Sequence, residues 1–168
     1  MPVKAILALG SNLGDSEETL VRAIADICSH EKITVTKISP IAITAPVGGP
    51  ADQDDYANMV VEVETSLRPF QLLEYAQQIE QKHHRVRDVR WGPRTLDIDI
   101  IDIASIQMDD PELTLPHPRA AERAFVLEPW ARMDPDALLL GEPVRDLADR
   151  AEDIGGIREF HPAPVVCL

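Results

Sequence analysis

Asp97 and Asp99 are the residues whose type and spacing speak most directly of chemistry; they stand in the run Leu96-Asp97-Ile98-Asp99-Ile100. In a β-strand a period of two puts both carboxylates on one face and the isoleucines on the other. Side by side along the strand they lie about 6.5–7 Å apart and repel each other unless a cation neutralises the pair. Mg²⁺ commonly takes one or two protein carboxylates and completes its shell with water and substrate phosphates. The pair therefore points to a metal-assisted reaction on a phosphate, against the plainer reading of a solvated strand face. By the same period Asp102 falls on the opposite face and reads as a solvated or capping residue.

Directly before this strand, residues 83–94 carry Arg85, Arg87, Arg90 and Arg94 with a single acid, Asp88, inside a strongly acidic chain. Guanidinium forks hold phosphate oxygens through charge-assisted hydrogen bonds, and Trp91 could close over a bound ligand. Pairing of these arginines with surface acids is the alternative. On the preceding segment Gln77 and Glu80 share a helix face, with His84 in reach if the helix continues. Tyr56 and Asn58 point to one side of their strand, an aromatic surface beside an amide that donates and accepts, which suits a flat heterocycle. A core tyrosine with a satisfied amide would look the same. His117, Arg119, Arg123 and Phe125 follow a short extended segment. Gly10-Ser11-Asn12-Leu13-Gly14 lacks the Gly-Lys-Ser/Thr ending of a Walker motif and reads as a structural strand-to-helix turn.

The elements that must position these residues follow from periodicity. Val3 to Leu9 is a short apolar run, a buried strand. Asp15 and Glu18 have the form of a capping box, and Leu20, Ala23, Ile24, Ile27 and Cys28 mark one helical face. Ile33 to Thr44 and Tyr56 to Thr65 read as strands, separated by the exposed loop APVGGPADQDD. Pro69 opens a helix running to about Lys82, striped by Phe70, Leu72, Leu73, Ala76 and Ile79, and Leu96 to Ile103 is the next strand. This βαββαβ order predicts an α+β, ferredoxin-like antiparallel sheet covered by helices. Helices over Ala120–Ala131 and Val144–Ala151 follow, and Gly155 to Leu168 has weak signals.

Composition limits the partners. The chain of 168 residues is expected to form one domain, 1–168, and its formal charge of −13 argues against nucleic acid or an anionic membrane surface. No apolar run approaches the roughly 20 residues of a membrane span, and the N-terminal stretch lacks the marks of a signal peptide. Two cysteines, Cys28 and Cys167, make neither metal-ligand spacing nor a disulfide framework, which points to a reducing cytoplasm. A monomer is expected.

Taken together, ALGSNLGD, DYANMVVEVET, RWGPRTLDIDI and LTLPHPRAAERAFVLEP resemble the hydroxymethyldihydropterin pyrophosphokinase family over roughly residues 4 to 132. The most specific part is Arg90 to Ile100, where the Trp-Gly-Pro-Arg loop meets the Asp-x-Asp strand. The resemblance implies transfer of pyrophosphate from ATP to the hydroxymethyl group of 6-hydroxymethyl-7,8-dihydropterin, giving the pterin diphosphate and AMP in folate biosynthesis. It implies that Asp97 and Asp99 hold two Mg²⁺ ions, with Arg85 and Arg94 acting on the transferring phosphates. Pterin contacts fall to Thr44, Ala45, Val47, Tyr56, Asn58, Trp91 and Phe125. ATP contacts fall to Gln77, Glu80, Arg87, Trp91, Arg94, Ile100, Thr114, His117 and Arg123. The loops Val47–Asp54 and His83–Pro93 are expected to close over both substrates. The chain departs from the family pattern at Glu112, where an arginine is usual, and at Pro118, where an aromatic residue follows the histidine. Two other readings of the same residues are a catalytically silent pterin- or nucleotide-binding paralogue and a ferredoxin-like RNA-binding domain, the latter disfavoured by 4% aromatics and the acidic charge.

Overall fold

The computed structural model describes residues 2–11, 16–44, 55–86, 96–104 and 106–167, with 84–86 as backbone alone. The elements in chain order are β1 (Val3–Ser11), α1 (Ser16–Cys28), β2 (Ile33–Ile38), β3 (Ile41–Thr44), β4 (Tyr56–Thr65), α2 (Pro69–Val86) and β5 (Leu96–Ile103). After them come β6 (Met108–Asp109), β7 (Thr114–Leu115), α3 (Ala124–Met133), β8 (Leu138–Leu139), β9 (Glu142–Pro143), α4 (Val144–Arg150) and β10 (Ile157–His161). Short 3-10 turns at Ala120–Glu122 and Glu152–Gly156 lead into α3 and β10.

The main sheet runs β10-β3-β4-β1-β5, with β2 also paired to β4, and every pairing in it is antiparallel. Without β10 this is the ferredoxin-like arrangement predicted from the element order. The expected single strand over Ile33–Thr44 is broken at Ser39-Pro40. Proline has no N–H for the ladder, and the Ser39 hydroxyl takes over by accepting from Val60 N at 2.8 Å while Ser39 N donates to Val60 O.

Alternation in the strands divides the apolar residues between two sheet faces. One face carries Leu7, Leu9, Val61, Val63, Ile98 and Ile100, buried beneath Leu20, Ile24 and Ile27 of α1 and Leu72, Ala76 and Ile79 of α2. The other carries Ile6, Ala8, Val60 and Ile101 beneath α3 and α4, with Trp130, Leu127 and Leu147 at its centre. A ferredoxin-like RNA-binding domain would leave that second face open for stacking bases.

Four expectations need correction. β1 continues through Gly10 to Ser11, so these two residues, read as part of a turn, belong to the strand. α2 continues to Val86, and His83, expected at the start of a closing loop, is instead 6% exposed, with Nε2 3.0 Å from Asp26 Oδ2 of α1. Asp102 is not on the face opposite Asp97 and Asp99. The register slips between Ile6 and Leu7, where Leu7 faces Ile100 and Ile6 faces Asp102, so Ile101 is an extra residue and the phase of the strand shifts. Asp102 is thereby turned to the α3 side, into a small cavity with Lys4, Ile6, Glu62 and Trp130, where burial raises its pKa despite a hydrogen bond from the backbone of Ile103. Finally, Cys28 and Cys167 form a disulfide across 139 residues of sequence. No local spacing announces such a pair; the tail after β10 returns to the end of α1, with Val166 packed on the first core.

The segment with the weakest signals, Gly155 onward, supplies β10. Its residues pair with β3 as Ile157 with Thr44, Phe160 with Ala42 and His161 with Ile41. Among the described residues no helix is long and apolar enough to cross a membrane.

Candidate active site

A cavity of about 460 Å³ opens on the second sheet face, where the cover of α3 stops short of the ends of β1, β4 and β5. Asp97 and Asp99 reach it from β5, Tyr56 and Asn58 from β4, Thr44 from the end of β3, and Arg123 and Phe125 from the start of α3. Residues from four separate stretches of sequence thus share one volume, and each follows from strand phase. Asp97 pairs with Gly10, Asp99 with Ala8, and Gly10 in turn with Asn58, so the carboxylates and the amide stand on the same face of three adjacent strands.

Gly10 makes this crossing possible. A Cβ at that position would stand 2.8 Å from Asn58 Oδ1, closer than packing allows, so the missing side chain lets the amide lie over β1. Asn58 is 9% exposed and donates from Nδ2 to Thr44 Oγ1 at 3.1 Å, which fixes the amide's orientation. On the opposite wall the Arg123 guanidinium sits 5.7 Å from the centre of the Phe125 ring.

A second group of predicted residues gathers along the open edge of β5. Ile98 N donates to Glu80 Oε2 of α2 at 2.7 Å, and His117 N donates to Ile101 O at 2.7 Å. Burial, foremost, and the charges of Asp97 and Asp99 raise the Glu80 pKa, against the lowering effect of the Ile98 hydrogen bond. His117 is held below the usual imidazole pKa mainly by burial and further by Arg123 and Arg119, while Asp99 pulls the other way. Arg119 N donates to His117 Nδ1 at 3.2 Å, which leaves Nε2 to carry the proton of the neutral ring. Thr114 lies in β7, beside β5, and its hydroxyl donates to Asp110 O at 3.3 Å.

Some predicted residues are not brought into the cavity. Gln77 is exposed on α2. The Ile100 side chain is buried in the first core, so only its backbone faces the β5 edge. Ala45, Val47, Arg87, Trp91 and Arg94 lie outside the described residues, as does most of both expected loops, and Arg85 is described by its backbone alone. Glu112 lies in the turn between β6 and β7, where its N donates to Asp110 Oδ1 at 2.9 Å, and Pro118 lies in the connection from β7 to α3. Sequence reasoning missed Gly10, Asp153, Gly156 and Ile157 as cavity residues. A glycine inside a strand pattern was the available signal for Gly10; the other three carried none.

A carboxylate pair beside a slot with an aromatic wall and a fixed amide, on a ferredoxin-like sheet, can take a flat ring compound next to a cation-bound phosphate. A family model for 7,8-dihydro-6-hydroxymethylpterin-pyrophosphokinase (HPPK) matches residues 6–135. The chain is 50% identical over 129 residues to the 2-amino-4-hydroxy-6-hydroxymethyldihydropteridine pyrophosphokinase of Bacillus subtilis strain 168, covering 77% of each chain. It is 40% identical over 152 residues to the protein of that name from Methylorubrum extorquens, covering 90% of this chain and 96% of that one. Among solved structures, wild-type Plasmodium falciparum HPPK-DHPS with pterin and p-hydroxybenzoate shares the fold, with a TM-score of 0.66 at 14% identity over 89% of this chain and 43% of that one. The chain belongs to the 7,8-dihydro-6-hydroxymethylpterin-pyrophosphokinase family. It is an ATP-dependent pyrophosphokinase of folate biosynthesis.

Proposed function

We propose that the cavity on the α3 side of the sheet performs the family's reaction as follows. The pterin ring lies between Tyr56 and Phe125, with the Asn58 amide on its edge and the backbone of Thr44, Ala45 and Val47 around it. Because Thr44 already accepts one Asn58 N–H, the remaining amide groups are held ready for the ring rather than free to rotate. The nucleotide follows the edge of β5, met by Glu80, Thr114, His117 and Arg123, by the Ile100 backbone, and by Gln77 from α2. His117 presents a neutral Nε2–H there, which suits hydrogen bonding to a base or sugar oxygen without adding charge. Arg85, Arg87, Trp91 and Arg94 come from the end of α2 and the segment after it, and the segments 47–54 and 87–93 shut out water that would otherwise hydrolyse ATP.

Asp97 and Asp99 would hold Mg²⁺, two ions by the family resemblance, and the donor set fits such an ion. Among the described residues no group of three or more His, Cys, Asp or Glu side chains could cage a metal, whereas two carboxylates in one cavity leave room for phosphate oxygens and water. The upward shift of Glu80 caused partly by Asp97 and Asp99 marks a concentration of negative charge that a cation relieves. When bound, the metal would neutralise the ATP phosphates and polarise the phosphorus under attack. The protein's own contribution is orientation and charge complementarity, so no strong general base is required.

We further propose one domain acting as a monomer in the cytoplasm, where ATP is at hand. The disulfide removes cysteine usage as an argument for that compartment. The observation that carries the site assignment is the convergence of Asp97, Asp99, Tyr56, Asn58 and Phe125 on one cavity. The test is to incubate the protein with Mg-ATP and 6-hydroxymethyl-7,8-dihydropterin and separate the products. AMP and pterin diphosphate should appear in equal amounts, should depend on Mg²⁺, and should vanish with Asp97→Ala or Asp99→Ala. Full turnover in both variants would move the metal site elsewhere.

A further inference from the structure

The family model ends at residue 135, yet Asp153, Gly156 and Ile157, well beyond it, line the cavity. The contact that matters most among them is made by Asp153. Its Oδ1 accepts from Ala124 N at 2.9 Å, and Ala124 is the first residue of α3 and fully buried. The residue in the capping position, Arg123, has extended backbone (φ −107, ψ 108) and makes no side-chain cap bond. Arginine has only donors, so it cannot accept from the helix's first N–H groups. Asp153 does so in its place, from 29 residues further along the chain, and puts a negative charge at the positive end of α3.

The peptide unit held in this way lies between two of the side chains that line the cavity at the start of α3. Arg123 precedes Ala124, Phe125 follows it, and the two are stacked. The segment bearing Asp153 is itself anchored at several points downstream. Ile157 pairs with Thr44, Arg158 Nη1 is 3.7 Å from Asp55 Oδ2 next to Tyr56, and the Phe160 ring lies 3.7 Å from the Arg132 guanidinium of α3. His161 Nδ1 is 2.6 Å from Glu17 Oε2 in the first turn of α1, and the disulfide holds the tail beyond it. Asp153 thus connects the wall bearing Arg123 and Phe125 to the strand edge bearing Thr44.

We propose that Asp153 is a positioning residue for pyrophosphoryl transfer. By capping α3 from the C-terminal segment it holds the Arg123 guanidinium and the Phe125 ring on one cavity wall at the separation that both substrates require. The proposal rests on the assignment of Arg123 and Phe125 to substrate contact.

The experiment measures pterin affinity by the pterin's own fluorescence, with Mg²⁺ and a non-hydrolysable ATP analogue present, together with KM and kcat. Four variants are compared with the wild type: Asp153→Ala, Asp153→Asn, Phe125→Ala and Leu147→Ala, the last buried in the same core but absent from the cavity. Asp153→Ala should weaken pterin binding about five- to tenfold, the scale of a lost cap, and raise the KM for pterin accordingly. Asp153→Asn keeps the acceptor and should stay within about twofold of wild type, because asparagine caps as well as aspartate. Leu147→Ala should lower the melting temperature and leave affinity unchanged, which separates positioning from general loss of stability. Wild-type affinity in Asp153→Ala, or equal losses in the alanine and asparagine variants, would overturn the proposal. If Phe125→Ala binds pterin normally, the site assignment fails; if it binds weakly while Asp153→Ala does not, the positioning role alone fails. Should Asp153→Ala not fold, Asp153→Leu, which also lacks an acceptor at nearly the same size, is read by the same criterion.

Discussion

The two faces of the sheet solve different problems with the same strands. Beneath α1 and α2 the core is mainly apolar, with Leu7, Leu9, Leu20, Ile24, Ile27 and Leu72 almost fully buried and the buried His83 paired with Asp26. Beneath α3 and α4 the core is closed only around Trp130, and toward the ends of β1, β4 and β5 it gives way to a cavity lined by carboxylates, an amide and a guanidinium. On the first face every buried group is stabilised by the fold itself. On the second, two neighbouring aspartates face one cavity, and burial first, with their charge added, raises the pKa of Glu80 on the adjoining helix. The difference is that of a surface closed by burial and one that leaves charged and polar groups facing a cavity.

The largest expected effect comes from removing that charge. Asp97→Asn or Asp99→Asn should lower kcat by about a thousandfold, the scale of losing electrostatic stabilisation in a transition state. Asp99→Asn should leave the unfolding midpoint of the ligand-free protein equal to or above that of the wild type, because its repulsion with Asp97 is relieved. Paired activity assays and urea unfolding check this, and a lower midpoint would erase the distinction between the faces. On the other face, Ile24→Ala should cost about 2–5 kcal/mol of stability through a cavity in a dry core. The fraction that stays folded should keep kcat/KM within about twofold of wild type.

Between these lies Gly10, which belongs to β1 but touches the cavity through Asn58. Gly10→Ala pushes its Cβ against Asn58 Oδ1 and should disturb the bond to Thr44 Oγ1, weakening pterin binding about tenfold with little change in ATP affinity. Calorimetric titration with each ligand decides it; equal losses for both would point to a general disturbance of the sheet.

The smallest effect concerns how the second face is held. Glu128 of α3 is 7% exposed and accepts hydrogen bonds from Arg145 of α4 and from Arg132, and these partners, Arg145 first, hold its pKa below the usual glutamate value. Since the folded-state pKa is depressed, the stability from Glu128 is fully present above the ordinary glutamate pKa and is lost as pH falls through the lowered value. Arg145 is 40% exposed, so solvent screening limits the contribution to about 1 kcal/mol. Glu128→Gln should flatten the acid limb of a stability-versus-pH curve, with no effect on the first face's packing. An unchanged acid limb would remove Glu128 from this role.

Sequence by itself determined everything that depends on neighbours a few positions away. Period two put Asp97 and Asp99 together and Tyr56 with Asn58, period 3.6 gave α1 and α2 their buried stripes, and the motif around Arg90 to Ile100 identified the family. Those inferences hold because strand and helix geometry repeat locally. What only the tertiary structure decided depends on register and on return of the chain. A single extra residue at Ile101 turned Asp102 to the other face, a position that strict alternation assigns wrongly. His83, an apparent member of a basic loop, became a buried partner of Asp26 because α2 runs one turn further than its apolar stripe. The Cys28–Cys167 bridge, the edge strand β10 and the cap that Asp153 places on α3 join residues 139, 113 and 29 positions apart, the middle figure being the separation of Ile157 from Thr44. Such pairings leave no periodic trace in the chain; they arise where the C-terminal segment packs against α1, β3 and α3, and there the second wall of the cavity is made.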